Sequence, residues 1–266
     1  MRLKREFFTQ STLKVAKELL GKYLVRNYKG KLLIGKIVET EAYIGPKDKA
    51  SHAYSKREQP VKEKLKIIEE NWERIKNYVD DEELFIKRIL KLKNAKVTKR
   101  NLAEYLRGGH IYIYLVYGNY YQLNITTYKE GYPECVLIRA LEPVLNLKNP
   151  KGPGRLCEEL KLDSSFWGED VVMSERIWVE DEIKTLINAD KHADQRRLSF
   201  IANYIRETVA LSASIYKKIN PRKSASSSAF IRGIVRTTRI GIDYAEEHKF
   251  LKWRFYIKGN QWVSRK

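Results

Sequence analysis

The run HIYIYLVYGNYYQLNITT, residues 110–127, does most to narrow what this chain can become. β-Branched, aliphatic and aromatic residues fill both arms, and Gly118-Asn119 lies between them, so the segment reads as a β-hairpin. An antiparallel sheet must therefore be part of the fold. Five tyrosines crowd the hairpin: Tyr112, Tyr114, Tyr117, Tyr120 and Tyr121. Within a strand a tyrosine usually packs at the edge of a core. Beside a turn it protrudes.

What protruding rings would meet depends on charge. The chain carries 52 Lys and Arg against 33 Asp and Glu, a formal net charge of +19. That excess suits a polyanion, with nucleic acid first, an anionic membrane surface second and a solvated lysine-rich surface as the bland alternative. Aromatic side chains of a basic protein can stack on bases or wedge between them. The two cysteines, Cys135 and Cys157, and the four histidines, His52, His110, His192 and His248, show no metal-type spacing. No apolar run approaches the length of a membrane span, and MRLKREFF is not followed by an apolar signal core. The expectation is a soluble protein of a reducing, intracellular compartment.

Periodicity supplies the other elements. Ser11 is placed to cap a helix over 12–20 that Gly21 closes, and strands follow at about 22–27 and 31–43 around Lys29-Gly30. Val61, Leu65, Ile68, Trp72, Ile75 and Val79 recur at helical spacing, Asp80-Asp81 interrupts, and a second helical stretch runs over about 82–93. Strands are expected at 134–143 and toward the end, 252–264. GPGRLCEEL, 152–160, reads as a tight turn opening a helix. Residues 184–232 read as polar and mostly helical, ending in the basic, serine-rich KKINPRKSASSS.

KIVETEAYIGPKDKASH, residues 36–52, carries the candidate chemistry. If 36–43 is a strand, period two places Ile37, Glu39, Glu41 and Tyr43 on one face. A carboxylate beside a ring and a second carboxylate suits a general base, though a solvated strand face would look the same.

Six segments taken together carry a resemblance. VETEAYIGPKDKASH, the RN pair at 100–101, YIYLVYGNYYQLN, VLIRALEP, GPGRL and the closing RFYIKGNQWVS resemble, in order, the 3-methyladenine DNA glycosylases of the alkyladenine (N-methylpurine) type. The resemblance runs from Phe7 to Ser264. It implies an α+β fold: a single domain over residues 1–266, with a curved antiparallel β-sheet surrounded by helices and a protruding hairpin. The mainly helical stretches at about 58–97 and 182–232 look like insertions. It implies an enzyme that flips damaged purines out of double-stranded DNA and hydrolyses the N-glycosidic bond without metal or organic cofactor, acting as a monomer and, in a prokaryote, at the nucleoid. A non-catalytic nucleic-acid-binding protein on the same fold is the alternative.

Residue by residue, Glu41 matches the family's water-activating acid and Tyr43 a ring stacked on the flipped base. His52 and Tyr114 match the opposite wall, and Asn124 the pocket amide that discriminates among purines. Tyr117 matches the side chain that fills the vacated duplex, and Arg139 the basic residue near the water and the phosphate. There are two departures from the family pattern: Asn119 replaces an often apolar hairpin tip, and Glu104-Tyr105 replaces a frequent Met-Phe. Register is a further expectation. A two-residue turn at Gly118-Asn119 pairs Tyr114 with Leu123. We expect instead a three-residue loop, 118–120, pairing Tyr114 with Asn124, although Tyr120 is a poor residue for a left-handed position.

Overall fold

The computed structural model describes residues 1–183 and 233–265; the helical reading of 184–232 lies outside them. Among the described residues eight antiparallel strands form one curled sheet: β1 (Tyr23–Tyr28), β2 (Lys31–Ile44), β3 (Ile111–Val116), β4 (Tyr120–Thr126), β5 (Glu134–Leu145), β6 (Ile177–Glu180), β7 (Ile234–Thr237) and β8 (Arg254–Ile257). The spatial order is β3-β4-β5-β2-β1-β6, with β8 pairing both β2 and β7. Helices pack around this sheet, so the fold is α+β as expected. Among the described residues no helix is long and apolar enough to cross a membrane.

The long strand β2 positions the site. Its first half pairs with β1 through a turn at Lys29-Gly30, both with positive φ. Its second half pairs with β5 on one edge and β8 on the other. Bulges around Ile37–Thr40 separate the halves and bend the strand. After the four-residue helix α1 (Arg5–Phe8) comes α2 (Thr12–Glu18), which lays Val15 and Ala16 on the sheet. Thr40 Oγ1 donates to the Ala16 carbonyl at 2.7 Å. Ser11 sits at the N-cap of α2, but its side chain makes no capping hydrogen bond.

The first helical stretch divides into α3 (Val61–Glu70), α4 (Trp72–Ile75) and α5 (Glu82–Lys91). Asn71, at φ −118° and ψ 10°, interrupts the expected continuous helix. Asp81 caps α5 by accepting from the Leu84 N–H at 3.0 Å. Ile68, Ile75, Phe85 and Ile89 are buried in the same cluster as the sheet and α2. Each such side chain contributes roughly 1.5–3 kcal/mol on burial. The ammonium of buried Lys64 is satisfied by Glu58 at 2.9 Å and the Leu92 carbonyl at 3.0 Å.

The hairpin forms, but in a different register. Tyr114 pairs with Gln122, and Tyr112 with Asn124. The loop is 117–119, one residue earlier than expected. Tyr117 and Gly118 take the left-handed positions (φ 51° and 73°), and the Asn119 N–H closes the turn onto the Val116 carbonyl at 3.2 Å. Tyr120 is thereby spared that conformation and begins β4. Its ring lies over Gly154, where a Cβ would come within 2.9 Å of it. GPGRL thus opens the seven-residue α6 (Pro153–Glu159) against the hairpin. The closing segment is also shorter in strand than expected. Only Arg254–Ile257 pairs; Gly259 turns the chain (φ 76°), and the remainder returns Ser264 to Glu39.

Candidate active site

Pairing across five strands aligns one row of side chains. Tyr112 faces Asn124, Asn124 faces Leu137, Leu137 faces Glu41 and Glu41 faces Arg254. Residues directly opposite in a sheet share a face. Period two then adds Tyr114 and Gln122 on the hairpin side, Arg139 on β5 and Tyr43 on β2.

The two carboxylates of ETEAY are not solvated. Both are fully buried, and Arg139 links them, with Nε donating to Glu39 Oε1 at 3.0 Å and Nη1 to Glu41 Oε2 at 3.2 Å. Glu39 also accepts from Arg254 Nε at 2.7 Å, from the Ser264 hydroxyl at 2.9 Å and from the Ser264 N–H at 2.6 Å. It is an anchor with its capacity filled. Glu41 accepts from the Tyr43 hydroxyl at 2.9 Å and the Ile240 N–H at 2.8 Å, beside the Arg139 bond. Together the three donors fix the orientation of the carboxylate. Burial and the neighbouring Glu41 hold the Tyr43 phenol well above its usual range, so it remains the donor.

A second group fixes Tyr43 from behind. The Arg239 guanidinium lies 4.8 Å from the Tyr43 ring centroid and 5.1 Å from that of Trp253. Fully buried Asp48 holds it through both carboxylate oxygens, one at 2.8 Å, and the Ala42 carbonyl accepts at 2.9 Å. The residue after Arg239 is Ile240, whose N–H meets Glu41. Sequence reasoning missed Arg239, Ile240 and Asp48. Asp48 was inside the quoted motif, but nothing in VRTTRIGI announces that it completes a site about 200 residues earlier.

His52 and Tyr114 form an edge-to-face pair, with centroids 4.7 Å apart and planes at 66°. His52 Nδ1 and the Tyr112 hydroxyl are 2.8 Å apart, which sets the imidazole angle. Desolvation, then Arg100 and Lys96, lower the His52 pKa to about 4. His52 keeps an exposed face, which offsets part of that desolvation; it is neutral at pH 7 either way. Arg100 lies 4.7 Å over the Tyr114 ring, and the Tyr114 hydroxyl donates to Gln122 Oε1 at 2.9 Å. Asn124 is buried, its amide donating to the Tyr112 carbonyl at 3.1 Å. Tyr117 stands apart from all of these, 92% exposed at the hairpin tip. Of the seven residues singled out in the sequence, Glu41, Tyr43 and Arg139 are joined by hydrogen bonds, and His52, Tyr114 and Asn124 line the adjacent hairpin face.

These are the residues by which the sequence resembles a known family, and direct comparison agrees. The sequence model described as methylpurine-DNA glycosylase matches residues 6–66 and 91–201. The chain belongs to this family. Relatives named "Putative 3-methyladenine DNA glycosylase" match over nearly the whole of both chains. The Clostridium perfringens protein is 32% identical over 287 residues, covering 100% of each chain. That of Clostridium botulinum is 34% identical over 270 residues, covering 99% of each. Residues 67–90, from the end of α3 through most of α5, fall between the two matched segments.

Glu104 adds a fourth carboxyl group beside Glu39, Glu41 and Asp48. It lies in a single 3₁₀ turn, Leu102–Tyr105, and is 1% exposed. Burial pushes its pKa up to about 8, with nearby Asp48 adding to the rise and Cys135 and Ser51 opposing it. It is therefore neutral at pH 7. The unfolded carboxyl, at about 4.5, ionises first, so stability falls as pH rises from about 4.5 to about 8. At pH 7 that linkage costs on the order of 3 kcal/mol. Glu104→Gln is expected to raise Tm more at pH 8 than at pH 4.5; an equal shift at both would show that Glu104 does not titrate this way.

Proposed function

We propose that the protein is a monofunctional DNA glycosylase that flips alkylated purines out of duplex DNA and hydrolyses their N-glycosidic bond, leaving an abasic site. The observation that carries this is the buried Glu41, oriented by Tyr43, Arg139 and Ile240. A non-catalytic binding protein would have no use for an acid so held. An alkylated purine must leave the stack before its sugar bond can be reached. Tyr43 would stack on one face of the flipped base, with His52 and Tyr114 enclosing the other and Asn124 meeting its edge. Alkylation at N3 or N7 gives the base a positive charge, and electron-rich rings attract such a cation.

The reaction follows from that placement. Water's oxygen forms a bond to C1′ as the C1′–N9 bond breaks. The bonding pair leaves with the base, neutralising it, and water's proton passes to Glu41. Arg139 holds Glu41 in place. Tyr117 would fill the gap in the duplex. Tyr117→Ser is expected to weaken flipping by on the order of a few kcal/mol without unfolding the protein, read from the fluorescence of a base analogue at the lesion. An unchanged signal would remove the wedge role.

The function is tested by incubating the protein with methylated duplex DNA and chromatographing the soluble fraction. Free 3-methyladenine or 7-methylguanine is the expected product. DNA binding without any released base would favour the non-catalytic alternative.

A further inference from the structure

The neutral carboxyl at Glu104 has no part in the mechanism above. Its Oε1 accepts from the Cys135 thiol at 3.4 Å, and the same sulfur lies 3.8 Å from Asn124 Oδ1. Cys135 pairs with Tyr43 across the sheet. Glu104 thus reaches the floor on which Asn124 and Tyr43 stand. Its other oxygen, Oε2, is buried and has no hydrogen-bond partner. Ser51 lies close enough to favour the ionised form, but is not in hydrogen-bond geometry with Oε2. A buried polar atom left in this state is costly and calls for an explanation.

We infer that Glu104 is a specificity-determining residue, whose protonated Oε2 donates a hydrogen bond to an acceptor atom on the edge of the flipped purine. The inference rests on the glycosylase reading. A carboxylic acid kept neutral by burial is a donor as well as an acceptor. Cys135 connects it to Asn124, whose own amide already donates to the Tyr112 carbonyl, so the free donor on this polar edge is the acid. The groups facing Glu104 are Asp48 and Ser51 from the loop after β2, Cys135 from β5, Tyr112 and Tyr114 from β3, and Tyr105 in its own turn; Asn124 from β4 reaches it through Cys135. Burial raises the Tyr112 and Tyr114 phenols and the Cys135 thiol above their usual ranges, with Glu104 adding to each. Glu104 therefore loses its proton at a lower pH than the Tyr112 and Tyr114 phenols or the Cys135 thiol.

The donor matters most for a purine that carries no charge of its own. A cationic base such as 7-methylguanine leaves as a neutral molecule. A neutral base such as hypoxanthine depends on hydrogen bonds at its edge. Above about pH 8 the donor is lost and the group becomes anionic, which disfavours neutral bases relative to cationic ones.

The test measures single-turnover release of hypoxanthine and of 7-methylguanine from matched duplexes between pH 6 and 9. The compared proteins are wild type, Glu104→Gln and Glu104→Met, each with its melting temperature checked. The wild-type hypoxanthine to 7-methylguanine ratio is expected to fall as pH passes about 8. Glu104→Gln keeps an N–H donor at every pH and should flatten that fall. Glu104→Met removes the donor and should lower the ratio at pH 6.5 by about tenfold or more. A folded Glu104→Met with an unchanged ratio would overturn the inference and leave Glu104 a structural plug. So would wild-type release of 7-methylguanine without hypoxanthine at pH 6.5. No release of either base would overturn the glycosylase reading itself, and the inference with it.

Discussion

Glu41→Gln is expected to bind methylated duplex DNA about as tightly as the wild type while releasing base at least a hundredfold more slowly. General-base catalysis contributes about 10²–10⁴, and the substitution removes the proton acceptor at nearly constant volume. With its carbonyl at the Oε2 position the glutamine still accepts from Tyr43 and Arg139, and only the Ile240 N–H loses its acceptor. Arg139 retains its bond to Glu39. Loss of folding is therefore not the expected cause of inactivity, and circular dichroism with a binding isotherm separates the two. Near-normal turnover by the folded variant would remove Glu41 from the chemistry.

Asp48→Ala is expected to cost about 3–5 kcal/mol of stability, because it leaves the buried Arg239 guanidinium without its counter-ion. The loss would not stay local. Arg239 backs the Tyr43 ring and precedes the Ile240 N–H that meets Glu41. Base release in the fraction that remains folded should fall with it. Urea denaturation measures the first effect. The double variant Asp48→Ala/Arg239→Met should recover part of the loss, since the stranded charge is gone. A single-variant cost below about 1 kcal/mol would mean that water reaches Arg239 and that the pair is not a buried support.

The residues legible in the sequence were those in short, dense motifs. Glu41 and Tyr43 stand two apart on one strand, and a strand delivers such residues to one face without help from the rest of the fold. The hairpin declared itself through aromatic arms around Gly118-Asn119. Its register did not, because Tyr117 takes a left-handed conformation that bulky residues rarely adopt, and moves the loop back by one residue. The continuous helix expected over 61–79 breaks at Asn71, within an apolar pattern that continues across the break. Arg239 and Ile240 were invisible for a different reason. Their contribution is a long-range ion pair and a backbone N–H, neither of which leaves a local pattern. Glu104 could be seen only as a departure from the family's usual Met-Phe; its burial and its unpartnered oxygen are tertiary facts.

The central claim is that water, activated by Glu41, cleaves the glycosidic bond and leaves an abasic site. A single-turnover reaction on a duplex with one 7-methylguanine tests it most directly, quenched with borohydride or with alkali. The account predicts an intact strand before alkali, cleavage at the lesion after alkali, and no protein–DNA adduct under borohydride. A trapped adduct through a lysine, or a bound duplex that keeps its methylated base, would contradict it.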